Sequence, residues 1–244
     1  MDLISECVHC GFCLQACPTY QSWNNETDSP RGRIDLMRGV VEGTLALDAQ
    51  VVPHFDRCLG CMACMTACPS GVEYNRLIET TRGMVETQYR RPFVQRLFRA
   101  MVFALFPYPN RMRALAPLLN FMARSPLRRF APGGSLLRPV DTGVVALAPV
   151  YSAKGEKRAR VGLIAGCVQR VFFPEVNAAT IRVLTAEGCE VVVPPQAGCC
   201  GALSLHSGRL AEAKRFARAT IAAFEAQGLD AVIINAAGCG SALK

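Results

Sequence analysis

The sequence predicts two folded domains, a mostly α-helical one followed by an α/β one built on a parallel sheet. Three observations support this prediction: a cysteine phrase that occurs twice in residues 1–69, an Arg-rich helical segment in the middle, and alternating strand and helix patterns from Arg160 onward. The chain has 244 residues, of which 51% are hydrophobic, so it can bury a core in each domain. We expect a first domain over 1–90, a helical linker over 91–158 and a second domain over 159–244.

The repeated cysteine phrase is the most specific signal in the chain. Each copy contains three cysteines separated by two residues, a fourth after three more residues, and then a proline. The copies are Cys7-x2-Cys10-x2-Cys13-x3-Cys17-Pro18 and Cys58-x2-Cys61-x2-Cys64-x3-Cys68-Pro69. Three thiolates at this spacing let one short loop cover three corners of a cubane, so the fourth corner must be bound from elsewhere. Gly11 and Gly60 lie inside the loops, where a missing Cβ lets the backbone approach inorganic sulfide.

This spacing is typical of ferredoxins with two [4Fe–4S] clusters, in which the fourth cysteine of each run binds the other cluster. We therefore expect two reciprocal sets, Cys7, Cys10, Cys13 and Cys68 for cluster 1, and Cys58, Cys61, Cys64 and Cys17 for cluster 2. Zinc is a weaker alternative, because structural zinc sites take their ligands in two pairs. A disulfide framework is weaker still, since the 13 cysteines are odd in number and no signal-peptide pattern is present. A reducing compartment, most simply the cytoplasm, is expected.

The 40 residues between the two cysteine runs suit helices better than the hairpin of a minimal ferredoxin. Ser29 can cap a helix that has Pro30 in its first turn, and Gly43 can end that helix. A second helix is predicted over 72–88. The first domain is therefore predicted to be an α-helical ferredoxin domain.

Two arginines, Arg31 and Arg33, lie in the first turn of the predicted helix. A solvated helix face is the favoured interpretation for both. The alternative is a guanidinium close to a cluster, where it would favour the more negative reduced state and raise the reduction potential. His9 and His54 lie near the cysteine runs but outside the ligand pattern, so we expect structural roles for them.

The middle segment is strongly basic, because residues 82–139 contain 11 Arg, no Lys and one acid, a local charge of +10. Its apolar residues recur at helical spacing over 94–105, and a weaker repeat over 112–122 is expected to be interrupted by Pro117. Residues 132–135, Pro-Gly-Gly-Ser, are typical of a linker. The segment either packs on its own protein or docks on an anionic lipid surface or an acidic partner subunit.

Charge and hydropathy argue against two further classes of protein. The formal net charge of +8 falls to about +4 when each cluster with its four thiolates contributes about −2, so we expect no nucleic-acid partner. No run approaches the roughly 18 apolar residues needed to span a bilayer, the longest being 100–106. We expect a cytoplasmic protein that is soluble or bound peripherally to the inner face of the cytoplasmic membrane.

The second domain is predicted from alternating patterns. Strands are predicted at 161–165, 190–193 and 231–235, and helices at 177–187 and 209–227. This βαβαβ order predicts a parallel sheet with right-handed crossovers.

Four cysteines follow the predicted strands and should meet at the carboxyl edge of the sheet, where open α/β sheets bind ligands. They are Cys167, Cys199, Cys200 and Cys239. A third cluster, a zinc ion and a redox-active thiol pair all remain possible there, and a metal centre is favoured because vicinal cysteines in a Gly-Cys-Cys-Gly turn are strained. Cys189 opens a strand and is expected to be a core thiol, whereas His206 is either a ligand or a hydrogen-bonded structural residue.

Several motifs together resemble the iron-sulfur subunit of glycolate oxidase (glycolate dehydrogenase). They are Cys7-Val8-His9-Cys10-Gly11-Phe12-Cys13, Cys17-Pro18-Thr19-Tyr20, Pro30-Arg31-Gly32-Arg33, Arg57-Cys58-Leu59 and Cys68-Pro69-Ser70-Gly71-Val72. The second domain resembles the Rossmann-like, cysteine-rich CCG module of that family, which heterodisulfide reductase subunits share. The resemblance covers nearly the whole chain.

The resemblance implies that this chain carries electrons and has no catalytic residue of its own. A separate subunit with FAD would oxidise the 2-hydroxy acid, and electrons would pass through the clusters to a membrane or quinone-level acceptor. Iron-sulfur subunits of anaerobic glycerol-3-phosphate dehydrogenase, lactate-utilisation and heterodisulfide-reductase systems are the alternatives within the same class. A zinc-filled scaffold without redox activity is the alternative from another class.

The chain departs from the family in two respects. The closing Cys-x-x-Cys motif of the module is replaced by Cys239-Gly240-Ser241-Ala242, so one expected ligand is absent. Family members continue into a second CCG module, whereas this chain ends at Lys244. We therefore expect a fragment or truncated form, with its first CCG domain incomplete at the carboxyl end.

Overall fold

The computed structural model describes residues 2–126 and 147–243 of the chain. It divides into two compact units, one formed by Met1–Pro92 with Ser204–Leu210, and the other by Phe93–Leu203 with Ala211–Lys244. The predicted linker over 132–135 lies outside the described residues.

The first unit is built from short helices around the two cysteine runs. These are α1 (Asp2–Ser5), α2 (Phe12–Ala16), α3 (Pro18–Trp23), a 3-10 turn (Glu26–Asp28), α4 (Pro30–Val41), α5 (Val52–Arg57), α6 (Ala63–Thr66) and α7 (Tyr74–Gln88). Its core contains the fully buried side chains of Phe55, Ile78 and Val85. Five of the eight cysteines belong to or pack against this same core: Cys7, Cys13, Cys58, Cys64 and Cys68. The core therefore holds both cysteine runs in place.

The helix predicted after Ser29 is confirmed as α4. The Ser29 side chain accepts a hydrogen bond from the Gly32 backbone N–H at 3.0 Å, and Pro30 occupies the first turn, where its missing N–H costs nothing. The helix ends at Val41, shortly before Gly43, whose φ of 74° is costly for other residues. The second predicted helix is also present as α7, although it begins at Tyr74 rather than residue 72.

From residue 93 onward the chain forms two long helices and then an α/β layer. The elements are α8 (Phe93–Leu105), α9 (Pro109–Arg124), β1 (Val150–Tyr151), β2 (Ala159–Ile164), α10 (Gln169–Phe172), α11 (Pro174–Ala186), β3 (Cys189–Val192), α12 (Ala202–Leu205), α13 (Leu210–Glu225), β4 (Ala231–Ile234) and α14 (Ala237–Ala242). The βαβαβ order predicted from the sequence is therefore confirmed.

The prediction of a purely parallel sheet is wrong at one edge. The strand order is β1-β3-β2-β4, in which β2 runs parallel to β3 and β4 but β1 runs antiparallel to β3. Only two residues of β1 pair, Val150 with Val192 and Tyr151 with Val191, so the strand is too short to produce an alternation in the sequence. Central strand β2 is buried, and a Cβ on Gly162 would lie 2.6 Å from Phe224, so glycine lets α13 pack closely on the strand.

The expected interruption at Pro117 is also wrong, because α9 continues through this proline. Met112 and Ala116 on α9 are buried against Val171 of α10. This packing offsets the backbone hydrogen bond that proline removes, since most helix stability in proteins comes from tertiary contacts. Pro109 starts α9, as a proline in the first turn can.

Candidate iron-sulfur sites

The two cysteine loops have left-handed residues at the same two positions, although their glycines occupy different ones. In the first loop His9 and Gly11 have φ values of 54° and 87°, and in the second loop the equivalent Gly60 and Met62 have values of 64° and 58°. Left-handed residues at these positions bend each loop around its first three cysteines. Such turns also direct backbone N–H groups inward, which favours an anionic ligand. His9 and Met62 thus take the conformation that Gly11 and Gly60 supply without strain.

The four cysteines of the second predicted set line one cavity. Cys58, Cys61 and Cys64 come from the second loop, and Cys17 comes from the end of the first run. The same cavity is lined by Arg33 and Tyr74, which supply a buried guanidinium and a hydroxyl. The Tyr74 hydroxyl donates to Cys58 Sγ at 3.6 Å, and Thr19 Oγ1 lies 3.2 Å from Cys17 Sγ. Cys17 therefore lies with the cysteines of the other run.

Electrostatic interactions and packing against one core relate the cysteines of the first predicted set. Burial raises the pKa of Cys13, and the neighbouring Cys7 and Cys10 raise it further. Cys68 packs against the same hydrophobic core as Cys7 and Cys13. Cys10 and Cys61 are the exposed members of their sets. Both loops thus bring one thiol to the molecular surface.

Cys64 interacts electrostatically with cysteines of both runs. Burial raises its pKa to about 12, and Cys58 and Cys61 of its own run add to the shift together with Cys13 and Cys17 of the first run. Close thiolates repel one another in a site of low polarity, so neighbouring thiols stay protonated unless positive charge is supplied. A cationic centre bound by several thiolates would supply that charge.

The expectation that Arg33 lies on a solvated helix face is wrong. Its side chain is 1% exposed. Its guanidinium donates to the His54 carbonyl oxygen at 2.6 Å and to Thr19 Oγ1 at 3.1 Å, and it lies 4.0 Å from Cys17 Sγ. Arg31 is 27% exposed and donates to the His9 carbonyl oxygen at 2.9 Å. The sequence could not distinguish Arg33 from Arg31, because a position in a helix does not show which face of α4 packs against the rest of the protein.

Asp28 was not identified from the sequence and is the anionic partner in this region. Its carboxylate is 1% exposed and lies 3.4 Å from Arg33, 3.0 Å from His54 Nδ1 and 3.3 Å from Arg57. These contacts give His54 the structural role expected for it. The only signal in the sequence is an acidic residue before the Ser29 cap, which is common at helix starts and therefore not specific.

The cysteines of the third candidate site are also brought together. Cys200 Sγ lies 3.0 Å from Cys239 Sγ, and the Cys199 thiol contacts both Cys167 and Cys200. Hydrogen bonding with Cys199 and Cys239 lowers the pKa of Cys200 to about 3, whereas the pKa values of Cys199 and Cys239 are raised. The Cys199-Cys200 turn is followed by Gly201 at a φ of 88°. One thiolate in this group is thus strongly stabilised by its neighbours.

The contacts of His206 and Cys189 are with residues other than these four cysteines. His206 Nδ1 is 3.3 Å from Glu79 Oε1, and its carbonyl oxygen accepts from Arg82 at 2.8 Å. These contacts favour the structural interpretation of His206 over the ligand interpretation. Cys189 opens β3 and packs against the core of the sheet, as expected.

Among residues 2–126 and 147–243, no group of three or more Cys, His, Asp or Glu side chains is arranged to hold one metal ion. In a cubane each thiolate binds a different iron, so its ligands stand farther apart than those of a single ion. The donor sets consist of cysteine alone, and soft thiolates select iron-sulfur clusters, zinc or Cu(I) rather than hard cations. The residues present therefore fit iron-sulfur clusters in their chemistry.

Comparison with known proteins identifies the domains. Residues 3–72 match the family of 4Fe-4S dicluster domains, residues 94–141 match the linker region of the glycolate oxidase iron-sulfur subunit, and residues 161–244 match a cysteine-rich domain. A dicluster domain followed by a cysteine-rich domain defines an iron-sulfur protein.

Curated relatives agree with this class. The chain is 40% identical, over 97% of its length, to the probable glycolate oxidase iron-sulfur subunit of Bacillus subtilis (strain 168). It is 38% identical, over 100% of its length, to the glycolate oxidase iron-sulfur subunit of Escherichia coli (strain K12). The chain is therefore a homologue of the glycolate oxidase iron-sulfur subunits, as its motifs predicted.

The coverage of these relatives is partial, because the chain spans 57% and 58% of their lengths. A shorter match, 38% identical over 66 residues and 27% of this chain, links it to lactate utilization protein A of Oceanobacillus iheyensis. No solved structure matches the chain significantly. No helix among the described residues combines the length and the apolar character needed to cross a membrane.

Proposed function

We propose that this chain is the electron-transfer subunit of a flavin-dependent glycolate (2-hydroxy acid) dehydrogenase complex, with cluster 1 on Cys7, Cys10, Cys13 and Cys68 and cluster 2 on Cys58, Cys61, Cys64 and Cys17. The observation that carries the proposal is the cavity where Cys17 lies with three cysteines of the other run. When bound, each [4Fe–4S] cluster would take up and release one electron at a time. The names of the full-length relatives support glycolate as the substrate of the complex.

The residues of this chain hold the centres and control access to them. Cys17 and Cys64 of the second set are buried, while Cys10 and Cys61 reach the surface. Three large apolar side chains beside these exposed thiols are themselves exposed: Val8 67%, Phe12 67% and Leu59 68%. Exposed apolar groups around a redox centre suit contact with a partner protein. We assign electron entry and exit to these two loop surfaces, with FAD in a partner subunit.

Helix α8 supplies a second surface of interest. Five apolar residues of α8 are each at least 50% exposed, and Arg96 and Arg99 lie among them in the sequence. The five are Phe93, Val94, Leu97, Phe98 and Met101. An apolar stripe with arginines beside it fits an anionic lipid surface, into which the stripe inserts while guanidinium groups meet headgroups. We propose peripheral binding of α8 to the cytoplasmic membrane face, close to a quinone-level acceptor.

The third thiol group is proposed to hold a further metal centre on Cys167, Cys199, Cys200 and Cys239, an iron-sulfur cluster rather than zinc, because no such group among the described residues is arranged around a single ion. Its support is the contact between the four thiols and the strongly lowered pKa of Cys200. Ligating thiols must lose their protons, and a lowered pKa favours that loss.

The central test is chemical analysis of anaerobically purified protein. Two cubane clusters predict about eight iron and eight labile sulfide per chain, because each holds four of both. Near-zero labile sulfide would refute the proposal and favour a zinc-filled scaffold.

The substrate is tested on the complex that copurifies with the full-length protein. Reduction of the clusters is followed after adding glycolate, D-lactate or glycerol-3-phosphate, with a flavin-free preparation as the control. Glycolate is expected to reduce them fastest. Preference for D-lactate would instead favour a lactate-utilisation system, the second candidate, which the match to lactate utilization protein A supports.

A further inference from the structure

Arg33 is a cation enclosed beside a predicted cluster ligand. Its side chain is 1% exposed and lines the cavity of Cys17, Cys58, Cys61 and Cys64. One guanidinium nitrogen, Nη1, lies 4.0 Å from Cys17 Sγ, while the other two are hydrogen-bonded to His54, Thr19 and Asp28. The side chain is thus held in one position by the protein, with Nη1 directed at the sulfur.

We propose that Arg33 is a positioning residue that raises the reduction potential of cluster 2 selectively. The inference rests on the proposed function, because it requires a cluster on these four cysteines. A fixed positive charge stabilises the reduced state, which carries one more negative charge, and burial keeps solvent from screening that interaction. Arginine suits this place because its charge persists when the side chain is buried.

The negative charge of Asp28 reduces the effect of Arg33 on the reduction potential. Substitution of Asp28 therefore tests the proposal independently of Arg33. The Asp28 carboxylate lies 3.4 Å from Arg33, whose Nη1 lies 4.0 Å from Cys17 Sγ, so its negative charge offsets the positive charge beside that ligand. Arg57 and His54 contact the other sides of this carboxylate. Loss of the Arg33 charge and loss of the Asp28 charge must therefore shift the potential in opposite directions. Structural damage to this network would not produce shifts of opposite sign.

The experiment is an EPR-monitored redox titration of anaerobically purified full-length protein. Arg33→Gln is expected to make reduction of cluster 2 at least tenfold less favourable, a downward shift of about 59 mV for one electron. Arg33→Lys, which keeps the charge, is expected to recover most of the shift. Asp28→Asn is expected to shift the potential upward. Arg76→Gln removes an exposed charge and is expected to leave it unchanged.

Each outcome decides between the alternatives. An unchanged potential in Arg33→Gln with both clusters intact overturns the inference, as does an equal shift in Arg76→Gln. Downward shifts in both Arg33→Gln and Asp28→Asn would also overturn it, because they would indicate disruption rather than charge. If Arg33→Gln loses cluster 2, Asp28→Asn and Arg33→Lys still supply the test. Absence of clusters from the wild-type protein would instead refute the proposed function.

Discussion

At the scale of single residues, Gly32 in the first turn of α4 has no room for a side chain, because the preceding turn lies against it. A Cβ on Gly32 would lie 2.0 Å from the backbone oxygen of Glu26, which cannot move without displacing the turn that carries Asp28. We expect Gly32→Ala to lower the free energy of unfolding by about 3 kcal/mol, the upper end of ordinary substitutions. Urea denaturation of the anaerobic holoprotein measures this loss.

Gly83 is the matched control for that substitution. It also lies in a helix, but a Cβ there meets no atom within 4 Å. Gly83→Ala is expected to raise stability by about 0.5–1 kcal/mol, because alanine loses less backbone entropy in a helix interior. Equal denaturation midpoints for the two variants would contradict the steric argument.

Cys17 tests the reciprocal sets directly. Because Cys17 lines the cavity of Cys58, Cys61 and Cys64, Cys17→Ser is expected to abolish or alter the EPR signal of cluster 2 and to leave that of cluster 1. Cys189→Ser, which changes a thiol in the sheet core, is the control and should preserve both signals. Loss confined to cluster 1 would exclude this assignment.

At the scale of elements, α8 combines exposed apolar residues with a guanidinium pair. Arg96 and Arg99 lie three residues apart, near the Phe93 and Phe103 rings respectively. If α8 binds an anionic surface, changing both to Gln is expected to weaken binding to phosphatidylserine vesicles roughly tenfold or more, since each basic residue contributes about 1 kcal/mol. Cosedimentation at low and high salt measures the effect, which salt should diminish.

The matched control for α8 lies on α13. Arg215 and Arg218 are also three residues apart and exposed, so changing both to Gln removes the same charge from another helix. This control should bind vesicles like the wild-type protein. Equal weakening in both double variants would assign the effect to net charge instead of to α8.

At the scale of the whole molecule, the third thiol group lies in a different unit from the two predicted cluster sets. Cys200→Ser is therefore expected to lower the metal content of the chain without changing the EPR signals of clusters 1 and 2. Elemental analysis and EPR of the same sample measure both. Unchanged metal content, together with a Cys200–Cys239 disulfide under oxidising conditions, would support a redox-active thiol pair in place of a metal centre.

The local patterns of the sequence determined the chemistry and the order of the elements. The spacing of the cysteines predicts the cluster ligands, Ser29 and Pro30 start α4, and alternating patterns predict β2, β3 and β4. All of these signals lie within a few residues of one another, so they are visible without the fold. The two-residue β1 and the continuous helix through Pro117 depend on distant packing, which local patterns do not contain.

Only the tertiary structure decided the surroundings of the predicted ligands. Arg33 and Cys17 are 16 residues apart, and Asp28 and His54 are 26 apart, so no periodicity relates them. The sequence assigned Arg33 to a solvated face because a helical position does not reveal which side the rest of the chain will cover. Burial is a property of contacts between remote segments, and it removes the solvent that would otherwise screen the charge of Arg33.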